Sequence, residues 1–105
     1  MHTRVIDNPA QSRFELHVGG DPAELAGFAE YFPGEDDVIA FIHTEVDPRF
    51  AEHGLGDVLV RSALDTARER RVGVVPNCAY LRAWMIEHPE YLDLIPERHR
   101  AALGL

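Results

Sequence analysis

Three stretches of this sequence carry side chains that could do chemistry. The first is His43-Thr44-Glu45, near the end of the apolar run at 38–46. Side chains two apart on a strand project from one face, about 7 Å apart along the chain at ~3.4 Å per residue. His43 and Glu45 so placed could serve as a general base and its carboxylate partner, or as two metal ligands. No third ligand is obvious nearby, so metal is the weakest option; the bland reading is a satisfied buried histidine beside a surface glutamate. The second stretch is Glu52-His53-Gly54-Leu55-Gly56-Asp57, which leads into a long helical pattern. The first N–H groups of a helix have no partner within it and carry partial positive charge, so they hold anions. Glycines at 54 and 56 let an anion approach the backbone. Alone, a Gly-x-Gly serves a turn equally well. A Walker loop is excluded because there is no lysine, and a dinucleotide fingerprint because the third glycine it needs is missing from the residues that follow. The third is Cys78, after Val75-Pro76-Asn77 and at the start of a second helical pattern. A helix start favours thiolate chemistry, although a free cysteine is more often an inert core residue. Asn77 suits an N-cap, which needs no functional reading.

The elements that must position these groups follow from periodicity. Residues 13–18 alternate, with Phe14, Leu16 and Val18 on one face and Arg13, Glu15 and His17 on the other, the pattern of a half-buried strand. A Gly-Gly-Asp-Pro turn follows, and residues 23–32 are read as the second strand of a hairpin. Residues 4–7 are a short strand. Residues 38–46 are apolar on both faces until His43, which predicts a central strand covered on both sides. Leu55, Leu59, Ala63 and Ala67, with Val60 and Leu64 beside them, form the stripe of a helix over 55–71. Arg68, Arg70 and Arg71 in its last turn suit the negative helix end as a solvated terminus. Residues 72–75 are a short buried strand stopped by Pro76. Residues 78–88 are a helix with Leu81, Trp84 and Met85 inward, and Tyr91, Leu92 and Leu94 suggest a short third helix. Tyr80, Trp84 and Tyr91 are core or rim aromatics, one of whose hydroxyls could face a site as proton donor. The order predicts an α+β or α/β sandwich around one sheet.

Composition narrows the function. With 105 residues, one domain over 1–105 is expected. A mean hydropathy of -0.19 fits a folded globule. The formal charge is -8 and all basic residues are arginine. That charge repels phosphate backbones and disfavours nucleic acid. Lacking lysine, the chain has no Schiff-base or lysine-base chemistry. A single cysteine excludes an internal disulfide and points to a reducing compartment. No apolar run approaches the ~20 residues of a membrane span, and the first residues have no signal-peptide pattern. A cytoplasmic protein without membrane partners is the expectation.

Taken together, the strand ending His43-Thr44-Glu45-Val46, the Gly54-Leu55-Gly56 loop with Leu59-Val60, Val75-Pro76-Asn77-Cys78 and His88-Pro89-Glu90-Tyr91 resemble the GCN5-related N-acetyltransferase superfamily. More narrowly, they resemble its small YjdJ-like domains. The likeness spans about residues 5–95. It implies a single mixed, mostly antiparallel sheet with splayed central strands, packed by two to three helices. It implies acetyl-coenzyme A as cosubstrate, bound by Val46, Glu52, His53, Gly54, Leu55, Gly56, Asp57 and Asn77, with pyrophosphate on the N–H groups of 52–57. The pantetheine arm would run between the strands at 38–46 and 72–75. The acetyl group would then sit near His43, Glu45 and Cys78 as catalytic residues, because the two strands are expected to bring Cys78 close to His43. The superfamily loop usually begins with Arg or Gln; here Ala51 stands there, Glu52 and Asp57 add negative charge, and His53 is the nearby cation. Weaker coenzyme affinity follows from that departure.

The leading reading is therefore an N-acetyltransferase acting on an unidentified amine. Transfer is direct, with Glu45 or His43 as base, or covalent through Cys78 with His43 as its base. The alternative is a non-catalytic coenzyme A or acyl-coenzyme A binding module. A Cys/His hydrolase lacks an assigned Asp or Asn partner. Net charge mildly favours a cationic acceptor through steering. Substitution of Gly54 or Gly56 is expected to harm cofactor binding at little cost to folding.

Overall fold

The computed structural model describes residues 2–34 and 37–105, and no side chain at 51–53. Five strands form one sheet in the order β1-β2-β3-β4-β5: β1 (Thr3–Asn8), β2 (Arg13–Val18), β3 (Glu24–Pro33), β4 (Val38–Val46) and β5 (Gly73–Pro76). Neighbours from β1 to β4 are antiparallel, and β4 with β5 is parallel. A parallel pair needs a crossover, supplied by α1 (Leu55–Glu69); α2 (Ala79–Glu87) and α3 (Glu97–Leu103) follow β5. This is the mixed, mostly antiparallel α+β sheet expected from the sequence, and residues 23–32 do form the second strand of a hairpin.

The core lies between α1 and one sheet face. Phe14, Leu16 and Val18 of β2 meet the α1 stripe of Leu55, Leu59, Val60, Ala63, Leu64 and Ala67, all buried. Burying one such leucine contributes about 1.5–3 kcal/mol. Of the three arginines expected as a solvated end of α1, all stay exposed but two also act as clips. Arg68 pairs with Asp93 and Arg70 with Asp7, both at 2.7 Å. The short third helix is a 3-10 segment, Pro89–Leu94, and α3 was not anticipated at all.

Two irregularities shape the site. The β3–β4 register pairs Glu30 with His43 but Tyr31 with Phe41, so Ile42 is an extra residue on β4. Such a bulge resets side-chain alternation. Phe41, 1% exposed, faces the α1 side; beyond the bulge Thr44 and Val46 face that side, while His43 and Glu45 face outward, opposite Glu30 and Phe28. Unbroken alternation would have kept Phe41, His43 and Glu45 on one face. The second irregularity is where β4 and β5 part. They pair only over 38–41 and 73–76. Pro76 has no N–H to continue a ladder. Asn77 N–H donates to the Phe41 carbonyl at 2.9 Å, and the chain then turns into α2. Residues 42–46 are left without a β5 partner.

The expectation of a β4 covered on both sides is corrected by this geometry. It is interior in strand order, but Ile42 and His43 are exposed on the outer face. α3 approaches that face across from Val38 and Ala40.

Candidate active site

Where β4 parts from β5, a cleft of about 280 Å³ is lined by Thr44, Val46, Gly56 and Tyr80. Three elements converge there: the unpaired edge of β4, the first turn of α1 and the first turn of α2. At the α1 end, Gly54 adopts φ 68° and ψ 20° as N-cap and offers no side-chain cap. That left-handed conformation costs other residues about 1–2 kcal/mol. The N–H groups of Leu55, Gly56 and Asp57 thus start the helix without a capping side chain, the arrangement that suits an anion. A Cβ on Gly56 would collide with the Tyr80 hydroxyl, whereas a Cβ on Gly54 would meet nothing within 4 Å. Gly56 therefore lets Tyr80 lie across the cleft, and Gly54 serves the backbone turn. The expectation that both glycines exist to clear space for a phosphate is narrowed accordingly.

Tyr80 is 46% exposed. Burial of its hydroxyl, then the negative charge of Asp57 and proximity to Cys78, raise its pKa above the ordinary phenol value. The hydroxyl therefore keeps its proton. Asp57 itself turns away from the cleft. Its Oδ1 accepts from the Trp84 indole N–H at 3.0 Å, its Oδ2 lies 3.5 Å from Arg61 Nε, and His88 Nε2 is 3.9 Å away. Its carboxylate thus anchors α1 to α2, and only its N–H belongs to the anion end. Leu55 likewise offers only its N–H, because its side chain is 4% exposed in the core. Val46 lines the cleft. Glu52 and His53 lie in the 3-10 turn Pro48–His53, and their side chains lie outside the described residues.

The remaining predicted groups divide between the two faces. Cys78, 9% exposed, is the N-cap of α2, and its Sγ is 3.6 Å from Thr44 Oγ1. His43 and Glu45 stand on the opposite face, with Nε2 and Oε1 3.5 Å apart and both exposed. The predicted neighbourhood of Cys78 and His43 is therefore absent, because the bulge at Ile42 turns His43 outward. Asn77 precedes the N-cap, so the capping expectation does not hold; it lines a cavity on the outer side. Thr44 was missed in the sequence although it lies between two singled-out residues. Alternation alone places it on the face opposite theirs.

Among curated proteins none matches this chain. Among solved structures, the fold is similar to the solution NMR structure of a GCN5-like candidate N-acetyltransferase from Staphylococcus aureus. The TM-score is 0.66 and the identity 17%, over 89% of this chain and 87% of that one. The sequence model for GCN5-related N-acetyl-transferase matches residues 13–94, from the start of β2 to the end of the 3-10 segment after α2. Those residues contain the cleft, the α1 N-terminus, the His43/Glu45 pair and Cys78, and the chain belongs to the GCN5-related N-acetyltransferase family.

Proposed function

We propose that the chain, as one domain over residues 1–105, transfers an acetyl group from acetyl-coenzyme A to an amine. The observation carrying this reading is the meeting of an uncapped α1 N-terminus with a cleft opened by the β4–β5 separation. The donor set fits the coenzyme: N–H groups of 55–57 for the pyrophosphate, and the unpaired edge of β4 with Val46, Thr44 and Tyr80 for the arm. When bound, acetyl-coenzyme A supplies an acyl thioester. Acylation of an amine forms a nitrogen–carbon bond, breaks the carbon–sulfur bond, releases a proton from the amine and returns one to sulfur. In this reading His43, whose Nε2 lies 3.5 Å from Glu45 Oε1, takes the first proton from the outer face. In the same reading the Tyr80 hydroxyl, which lines the inner cleft, gives the second.

The two-face arrangement favours direct transfer. Cys78 has Thr44 and not His43 beside it, so an acyl-cysteine route would need a different base. We therefore expect His43→Ala to lower turnover by roughly 10²-fold or more, the scale of general base catalysis. Cys78→Ser should retain most activity. An acetylated Cys78 with activity lost in Cys78→Ser would reverse this assignment. The lone cysteine is consistent with a reducing, cytoplasmic setting.

Ala51, where the superfamily usually has Arg or Gln, favours a second reading as a coenzyme A binding module without turnover. Titration calorimetry with coenzyme A, followed by turnover assays across many amines, separates the two. Absence of coenzyme A binding would overturn both. Tight binding with no turnover on any acceptor would leave the module.

A further inference from the structure

A larger cavity, about 510 Å³, lies on the outer face between the β4–β5 pair and α3. Ala40 of β4 and Val75 of β5 form an apolar floor, and Ala102 of α3 forms part of the facing wall. Arg98 and His99 add two basic side chains to its lining, and among the described residues neither is in an ion pair. Asn77 lies at the end nearest the parting of β4 and β5. The next residue, Cys78, faces Thr44 on the inner side. A residue lining the cavity and a residue in contact with Thr44 of the inner cleft are thus consecutive, with Cα atoms about 3.8 Å apart. His43 follows Ala40 on the same outer face of β4, just beyond the bulge. The α3 wall lies outside the residues matched to the family.

We propose that this cavity seats the amine acceptor, and that the acceptor is a small aliphatic molecule with a carboxylate at one end and an amine at the other. The carboxylate sits on Arg98 and His99, the stem on Ala40, Val75 and Ala102, and the amine at Asn77, on the face of β4 that carries His43. A diamine fits poorly, because Arg98 is the permanently charged side chain among the described lining residues and it is cationic. This assignment rests on the acetyltransferase reading and adds the acceptor class to it.

The test uses 5-aminopentanoate as probe, with pentylamine and 1,5-diaminopentane as controls. Amide shifts are followed by NMR on the coenzyme-free protein, and acetyl transfer is assayed separately. The expected result is saturable shifts at Ala40, Val75, Asn77 and Ala102. Binding of pentylamine should be about tenfold weaker or worse, as should that of the probe to Arg98→Gln, the scale of a lost hydrogen bond to a charged group. Ala102→Trp should abolish probe binding and transfer while leaving coenzyme A affinity and the melting temperature unchanged. If the diamine binds as well as 5-aminopentanoate, or the shifts fall elsewhere, the proposal is overturned. Undiminished transfer to 5-aminopentanoate by Ala102→Trp overturns the cavity assignment and leaves the acetyltransferase reading intact. Probe binding in the cavity without transfer to any amine overturns the acceptor role and the acetyltransferase reading together.

Discussion

Replacing Asp57 should loosen α1 from α2 by an amount the structure allows to be worked out. Asp57 Oδ1 accepts the indole N–H of Trp84 at 3.0 Å, and Trp84 is only 7% exposed. In Asp57→Ala that buried donor loses its acceptor, which costs about 1–3 kcal/mol. The acidic group in the first turn of α1 also complements the positive end of the helix dipole, worth about 0.3–1 kcal/mol. Because the carboxylate is 46% exposed, solvent screening puts that second contribution at the low end. The sum is about 1.5–3 kcal/mol, or roughly 6–20 °C in Tm for a chain of this size. Asp57→Asn keeps an acceptor oxygen and should recover most of the loss. Urea denaturation followed by fluorescence suits the measurement, since Trp84 is the single tryptophan. Coenzyme A affinity should not fall in Asp57→Asn, because the carboxylate faces α2. Stability of Asp57→Ala within about 0.5 kcal/mol of the parent, the ordinary range for a surface change, would refute the anchoring argument. So would an asparagine variant as unstable as the alanine one.

Gly56→Ala should displace the Tyr80 ring into solvent at a rotamer cost of about 0.5–1.5 kcal/mol, shifting the melt by a few degrees while weakening coenzyme A binding in calorimetry; unchanged affinity would count against the cleft. Gly54→Ala should instead lose about 1–2 kcal/mol of stability through its positive φ, read by urea denaturation. Leu64→Ala, at a site with no exposed surface, should cost about 2–5 kcal/mol in the same assay. Burial of Glu15 by itself would raise its pKa, but hydrogen bonds from Arg13, His17 and Asn8 outweigh it and hold the carboxyl below 4.5. The folded-state value is thus depressed, so this stabilisation is present above pH 4.5 and is lost as acid titrates through the folded pKa. Glu15→Gln should flatten that acid limb in a stability–pH series, and an unchanged limb would contradict the network.

Much of the frame was legible. The alternation of Phe14, Leu16 and Val18 and the stripe from Leu55 to Ala67 are repeating signals, and burial rewards every repeat, so the core they predict is the core observed. Pro48, Pro76 and Pro89 marked boundaries because a missing N–H breaks any ladder or helix. The helix at Glu97–Leu103 left weaker traces, Pro96 before it and Gly104 after it. Seven residues with no buried side chain show no stripe to read.

The sequence by itself determined the order of the strands and of the helices up to the 3-10 segment after α2, the α1 face, the glycine turn into α1 and the pairing of His43 with Glu45, all of which depend on neighbours within a few residues. Only the tertiary structure decided which side of the sheet each group occupies. One extra residue at Ile42 reverses the alternation of β4, and its position depends on how β3 pairs with β4 across the hairpin. It sets His43 and Glu45 on one face and Thr44 with Cys78 on the other. Likewise, Asp57 reads as a charge beside an anion site until Trp84 and His88 draw its carboxylate to α2. Local periodicity carries no record of such distant partners, because a register shift or a hydrogen bond between helices is settled by packing over the whole fold.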